Sequence, residues 1–391
     1  MKKLMVITSR FPYPLDKGDK LRAYHQIKQF SKKAEVHLIS LTNKSVEDSS
    51  VKELKKFCKS VTVYKLNKFH SVFNVFKALF NKKPFQVALF YNRPIHKKIQ
   101  QQVRDLNPNH IYCQLVRCGE YVKSEFDIPK TIDFMDVLSK GIERRISSSS
   151  FYLKKILEIE AERLKVYEHI MFEYFDNHSI ISAQDQELIY HIEREAITVI
   201  PNGIDTDFFT PNSNSEKKYT LLFNGNMQYQ PNVKSAVYIA NEILPILHKT
   251  NPEITLLISG TSPTKEIQDL ATEKVTVSGW MDDIRDAYNS SQIFIAPMQI
   301  GTGLQNKLLE AMAMKMPCIS SKLANNALKA TPEKEILIGN SREEYAKLVL
   351  ELIENTTKRK TLEENSFRYV TSNFNWESST KKIMEKMGLT N

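Results

Sequence analysis

Glycine is scarce in this chain: 11 occur among 391 residues, less than half the usual share of about 7%. A sequence so sparing keeps glycine where the backbone demands it. Disulfide frames and zinc sites are missing as well. Cys58, Cys113, Cys118 and Cys318 form no C-x-x-C pair and have no histidine cluster beside them, so they read as reduced thiols. No apolar run approaches the roughly 18–20 residues of a membrane-spanning helix. After two lysines, Leu4-Met5-Val6-Ile7 is too short for a signal-peptide core. Together these absences predict a cytoplasmic protein.

Disorder is excluded too, since 41% of residues are hydrophobic and 26% charged, as in soluble globular chains. The length suits two domains at about 100–200 residues each. Lysine and arginine number 55 against 45 acids, a net charge of +10. A basic surface can meet nucleic acid, an anionic membrane or a phosphorylated small molecule. No zinc finger, RNA-binding aromatic motif or lysine-rich tail is present, so nucleic acid is not an expected partner.

The few glycines are placed tellingly. Six fall between 203 and 303, and most follow a β-type run: Gly203 after Ile197–Ile200, Gly225 after Tyr219–Phe223, Gly260 after Ile254–Ile258, Gly279 after Val275–Val277, Gly301 and Gly303 after Ile293–Pro297. Glycines at the carboxyl ends of successive strands mark a ligand crevice in an open α/β sheet. Short Val/Ile/Leu-rich strands alternate with amphipathic stretches throughout, which predicts parallel sheets flanked by helices. Six strands fall in the first half, from Leu4–Ser9 to Ser179–Ser182. Seven fall in the second, beginning with Ala196–Ile200. The expected division is 1–195, 196–372 and a closing helix over 373–391, with the hinge near the polar segment 211–218.

Two helical stretches stand out. In the first, Phe73, Phe76 and Phe80 lie at 3- and 4-residue spacing on one face, amid lysines 65, 68, 77, 82 and 83. Either this face is core and the lysines are solvated, or the helix meets anionic lipid headgroups. The second stretch, from Phe151 to about Phe175, is long and charged and suits a surface helix of the first domain.

The densest site candidate runs from Pro297 to Met314. A buried strand ends, a glycine loop follows, and a helix is expected to begin near Thr302 to Leu304, capped by Thr302. Such a helix start offers free N–H groups to an anion. Asn306 and Glu310 are four apart on one face, and Lys307 and Glu310 three apart. A phosphate at the helix start with Lys307 beside it, and ribose hydroxyls on Glu310, would hold a sugar nucleotide. The alternative is a surface Lys–Glu pair.

In its surroundings this stretch is recognisable. Lys307-x-x-Glu310-Ala311-Met312-Ala313-x-x-x-Pro317 resembles the donor-binding helix of retaining glycosyltransferases of family 4, of GT-B fold. Arg10-Phe11-Pro12-Tyr13-Pro14 with Lys17-Gly18-Asp19-Lys20-Leu21-Arg22 resembles that family's first strand, glycine loop and helix. Pro201-Asn202-Gly203-Ile204-Asp205 is similar to its entry into the second domain, Phe223-Asn224-Gly225-Asn226-Met227 to a strand end there, and Val277-Ser278-Gly279-Trp280-Met281-Asp282-Asp283 to its base-recognition loop. Asn375-Trp376 resembles the start of the helix that crosses back to the first domain. The combination most resembles bacterial sugar transferases of surface-polysaccharide assembly.

The resemblance implies two Rossmann-like domains facing a central cleft. It implies a retaining transfer from a nucleoside-diphosphate sugar to a glycan or lipid-linked acceptor, with no cofactor and no metal. The implied catalytic residues are Lys307 and Glu310, on an exposed helix face. Donor binding falls to Gly18, Asn202, Gly225, Asn226, Met227, Gly279, Trp280, Thr302, Gly303, Leu304, Asn306, Lys307 and Glu310. Acceptor binding falls to Lys20, Arg22, Arg117, Asp133 and Asp136. Two departures stand out. Thr302 occupies the place of the family's first glutamate, and no cation follows Gly225 until Lys234. The pair Asp205/Asp207 reads as a metal-binding D-x-D, but it sits in the domain connection. The rival readings are a sugar-nucleotide epimerase or hydrolase of the same fold, and a nucleotide-sugar-binding module without turnover.

Overall fold

The computed structural model describes residues 1–146, 149–212, 214–300 and 303–390. The chain forms two compact units, Met1–Pro201 together with Trp376–Asn391, and Asn202–Asn375. Among the described residues no helix is long and apolar enough to cross a membrane.

The first unit is built on β1 (Lys2–Thr8), β2 (Ala34–Thr42), β3 (Ser60–Lys65), β4 (His110–Gln114), β5 (Lys130–Asp133), β6 (Asn177–Ile180) and β7 (Thr198–Val199). They pair in parallel in the order β3-β2-β1-β4-β5-β6-β7. Leu4, Met5, Val6 and Ile7 are all buried, as a parallel strand covered by helices on both faces requires. The run Ala196–Ile200, expected to open the second sheet, belongs to the first. Its strand is only Thr198–Val199, beside β6. The backbone explains this, because Ile200 N donates to Ile180 O at 2.8 Å and Ile200 O accepts from Arg22 Nη1 at 2.7 Å.

Arg22 and Asp133, assigned to acceptor binding by the resemblance, are both fully buried. Asp133 accepts from Arg22 Nε at 2.6 Å and Nη2 at 3.1 Å. It also accepts from the Tyr112 hydroxyl at 3.0 Å and Ser179 Oγ at 3.0 Å. One carboxylate thereby ties β4, β5 and β6 to the helix Gly18–Phe30. Both charges are satisfied inside the unit, so the pair is structural.

The helix Trp376–Lys386 closes the first unit. Trp376 stacks on His25 of the Gly18–Phe30 helix with ring centres 4.8 Å apart. Ile383, Met384 and Met387 join Tyr24 and Ile27 in one apolar cluster.

The Lys68–Asn81 helix does not face the core. Phe69 is 87% and Phe80 78% exposed, Val72, Phe73, Phe76 and Leu79 are exposed as well, and Ala78 is its one buried residue. The helix is held by polar bonds at its edge: Asn74 Nδ2 donates to Tyr91 O at 2.6 Å and Ser71 Oγ to Leu89 O at 2.9 Å. Apolar periodicity fixes which residues share a face, but not whether anything covers that face.

The second unit carries β8 (Tyr219–Asn224), β9 (Leu256–Ser259), β10 (Val275–Gly279), β11 (Ser291–Ala296), β12 (Cys318–Ser320) and β13 (Leu337–Ile338). Their order is β10-β9-β8-β11-β12-β13, again with parallel pairing. Strand order reverses between β1 and β4 in the first sheet and between β8 and β11 in the second. Ligands of open α/β sheets bind at the carboxyl ends of strands beside such switch points.

Replacing Asp133 by Asn should test the buried knot. It strands the Arg22 guanidinium without a counter-charge, at a cost of about 3–5 kcal/mol in urea denaturation. Asp16→Asn, which removes the partner of Lys20 (2.6 Å away, half-exposed), should cost no more than about 1 kcal/mol.

Candidate functional site

The switch point of the second sheet is crowded with polar groups. β8 ends at Asn224, and Gly225 follows with φ +155°, a conformation open to glycine. The space is equally restrictive. A Cβ on Gly225 would lie 2.6 Å from Asn232 Nδ2 and 3.0 Å from Lys307 Nζ. One strand over, a Cβ on Gly260 would lie 1.8 Å from Gly225 O. Gly225 N donates to Ser259 O at 3.0 Å and Gly260 N to Gly279 O at 2.9 Å, so the ends of β8, β9 and β10 are stitched together.

Beyond β11 the chain reaches the helix Asn306–Ala313. It begins at Asn306, later than spacing predicts, because Gly303 adopts φ +88° and holds the chain out of the helical region. Gly301 and Thr302 lie outside the described residues, so the Thr302 cap and donor assignment do too. Gln305 occupies the cap position without a capping side chain. Asn306 Oδ1 accepts from Asn202 Nδ2 at 3.1 Å, which ties the start of this helix to the segment entering the unit.

Lys307 is buried, not exposed as expected. The first turn of its helix packs against the end of β8, and the side chain runs beneath Gly225. Its ammonium donates to Asn232 Oδ1 at 2.6 Å and lies 4.4 Å from the centre of the Phe223 ring. Among the described residues it forms no ion pair. Desolvation pulls its pKa from 10.5 down to about 7, only partly opposed by Glu310.

Glu310 is half-buried. Its Oε2 accepts from the Tyr288 hydroxyl at 2.7 Å, and that hydroxyl accepts from Asn224 Nδ2 at 2.7 Å. Burial raises the Glu310 pKa, while the Tyr288 bond and Lys307 pull it back. The sequence motifs give no site role to Asn224, Tyr288, Asn232 or Phe223, although Phe223 and Asn224 fall within the strand-end motif. Tyr288 lies on a short helix, Arg285–Asn289, and no spacing rule links it to position 310.

The other assigned residues divide. Asn226 O accepts from Asn232 Nδ2 at 3.0 Å, so Asn226 lies beside the lysine. Met227 is core, buried against β8 neighbours, so its side chain is not a ligand contact. Leu304 packs on the same core from its edge. Gly279 and exposed Trp280 end β10. In the first unit Gly18 opens its helix, and Lys20 pairs with Asp16. Arg117 is buried 4.8 Å from the Phe90 ring centre, its Nε without a hydrogen-bond partner among the described residues, and Asp136 is exposed.

Chemically, the second unit offers a lysine, a row of backbone N–H groups at a helix start, and a carboxylate positioned from behind. That set suits a phosphorylated ligand bearing hydroxyl groups. Residues 218–355 match the family model of Glycosyl transferases group 1. Over 408 aligned residues the chain is 23% identical to an uncharacterized 44.6 kDa protein in the cps region of Klebsiella pneumoniae, covering 99% of each. Among solved structures it is similar to Anabaena Alr3699/HepE in complex with UDP-glucose (TM-score 0.69, 13% identity, all of both chains). It is also similar to sucrose-phosphate synthase from Thermosynechococcus elongatus (TM-score 0.66, 16% identity, 99% of this chain and 98% of the other). These likenesses give the two parallel-sheet units the GT-B fold.

Tyr288→Phe tests the relay behind Glu310. It removes the donor to a half-buried carboxylate and leaves Asn224 Nδ2 unpaired, so it should cost about 1–3 kcal/mol in urea denaturation. Trp280→Ala, on the exposed loop, should stay within about 0.5 kcal/mol.

Proposed function

With residues 218–355 forming a glycosyl transferases group 1 domain in a chain of GT-B fold, we propose that the protein is a retaining, metal-independent glycosyltransferase. It moves a sugar from a nucleoside-diphosphate sugar to a glycan or lipid-linked acceptor in cell-surface polysaccharide synthesis. The observation that carries this reading is the buried Lys307 ammonium beside Gly225 at the switch point, a cation that forms no ion pair among the described residues and that Glu310 offsets only in part. The UDP-glucose named for the Anabaena structure and the cps region named for the Klebsiella relative support the donor class and the pathway.

In this mechanism the donor's β-phosphate sits at the start of the Asn306–Ala313 helix. There the first-turn N–H groups and Lys307 stabilise the charge that develops as the bond from phosphate oxygen to the anomeric carbon breaks. The acceptor hydroxyl attacks from the same face, its oxygen bonds to the anomeric carbon, and its proton passes to the departing phosphate. No side chain acts as nucleophile. Glu310, fixed through Oε2 by Tyr288, keeps Oε1 for a ribose hydroxyl. Asn202, Asn226, Gly279 and Trp280 serve donor binding in the second unit; in the first unit Gly18 is assigned to the donor, and Lys20, Arg117 and Asp136 to the acceptor. A lipid-linked acceptor would bring this cytoplasmic protein to the inner face of the plasma membrane.

Lys307→Met gives the sharpest test. A lysine whose folded pKa lies below its unfolded value costs stability below about pH 7. That cost fades as pH rises toward 10.5. The variant should therefore melt higher than wild type at neutral pH without ligand. It should lose the thermal shift from UDP-glucose, which for wild type at 100 times Kd corresponds to about 2.7 kcal/mol. Wild-type affinity should be full below about pH 7 and then fall by up to about tenfold per pH unit as the ammonium deprotonates. An unchanged ligand shift in Lys307→Met would place the donor elsewhere.

Sugar transfer should persist in excess EDTA. Among the described residues no group of three or more His, Cys, Asp and Glu side chains could hold a metal. Asp205 instead accepts from Phe208 N at 3.2 Å within its own turn. Loss of transfer that Mn²⁺ or Mg²⁺ restores would overturn the metal-independent mechanism.

A further inference from the structure

The first unit exposes an apolar surface larger than one helix. On the Lys68–Asn81 helix Phe69, Val72, Phe73, Phe76, Leu79 and Phe80 are all open to solvent. The helix Phe151–Glu173 adds a second stripe: Tyr152, Ile156, Ile159, Val166 and Ile170 are exposed. Their spacing alternates between three and four around Arg163, so they share one face. Arg163 joins the two stripes. Its Nη1 donates to Ala78 O at 2.7 Å, at the end of the first helix, and its guanidinium lies 5.1 Å from the centre of the Phe85 ring. Glu160, one turn before it, accepts from Phe85 N at 2.7 Å and Gln86 N at 2.9 Å. The junction is therefore built and not a loose end.

The charge around this surface is one-sided. From Leu54 to Arg104 the sequence contains 12 lysines and arginines and no aspartate or glutamate. Lys65, Lys68, Lys77 and Lys82 are exposed among the aromatic residues, and Lys155 is exposed beside the second stripe. Glu158 and Glu162 flank the second stripe, so the positive field centres on the first helix. Lys83 is engaged elsewhere, paired with Glu120 at 2.7 Å.

Aromatic side chains ringed by lysines that form no ion pair among the described residues match an anionic bilayer surface. The rings enter the headgroup layer while the ammonium groups stay at the phosphates. We propose that the two helices, joined at Arg163, form a peripheral docking surface for an anionic lipid bilayer. The use made of this docking rests on the lipid-linked acceptor, but its existence does not.

Flotation of the full chain with vesicles tests it, using phosphatidylglycerol in phosphatidylcholine against phosphatidylcholine alone. Wild type should float with the anionic vesicles only, and release with rising salt. Lys68→Glu/Lys77→Glu should lower partitioning at least about 30-fold, from the roughly fivefold contribution of each lysine near a charged surface. Phe73→Ser/Phe76→Ser/Phe80→Ser should lose binding to a similar extent. These residues are exposed, so both variants should keep the wild-type melting profile and the UDP-glucose shift, which separates this proposal from the donor reading. Equal flotation with both vesicle types, or anionic binding unmoved by either variant, overturns the proposal. So does a dimer in sedimentation that both variants dissociate while wild type ignores vesicles, since a second copy would then be the occupant.

Discussion

A buried ammonium that forms no ion pair among the described residues organises the second unit. Lys307 can lie beneath Gly225 only because no Cβ stands there, and Gly225 can follow β8 closely only because residue 260 is glycine too. Asn232 and the Phe223 ring supply the partial negative charge that the interior otherwise lacks. Such an arrangement is poor for stability, since a desolvated cation is costly and a neutral partner compensates little. It is good for binding, because the protein holds a positive group in low dielectric, already positioned, where an anion gains most from it.

The first unit solves the same problem the opposite way. Arg22 and Asp133 answer each other so fully that nothing is left for a ligand. Both units place charge near a switch point. Saturation separates the structural knot from the candidate site, and saturation depends on atoms brought together from distant segments.

This difference explains what was legible in the sequence. Most strand runs were, because they are short segments rich in apolar residues and ended by glycine, proline or a polar cluster, and the central ones are buried on both faces. The glycines at 225 and 279 pointed to the ends of the right strands. Asp133 misled because a carboxylate at a strand end looks the same whether it awaits a ligand or an arginine 111 positions away. Spacing picked out Lys307 but placed it on an exposed face, since helical spacing carries no information about the loop beneath the helix. Tyr288 was invisible for the same reason. The helix at Phe73, Phe76 and Phe80 carried two readings because amphipathic spacing describes a face and never its covering.

The return of the chain to its first unit has a consequence for biosynthesis. β1 is made long before Trp376, which stacks on His25, and before Met384 and Met387, which pack with Tyr24 and Ile27. Units generally fold in the order they leave the ribosome. Here the inserted unit is contiguous and can mature while its host still lacks a piece. The first unit must wait with a raw apolar seam along the Gly18–Phe30 helix until Trp376 and the helix it opens have emerged. Nascent chains stalled before Trp376 would thus carry a finished second unit on an unfinished first one, and that seam is where a chaperone would find them.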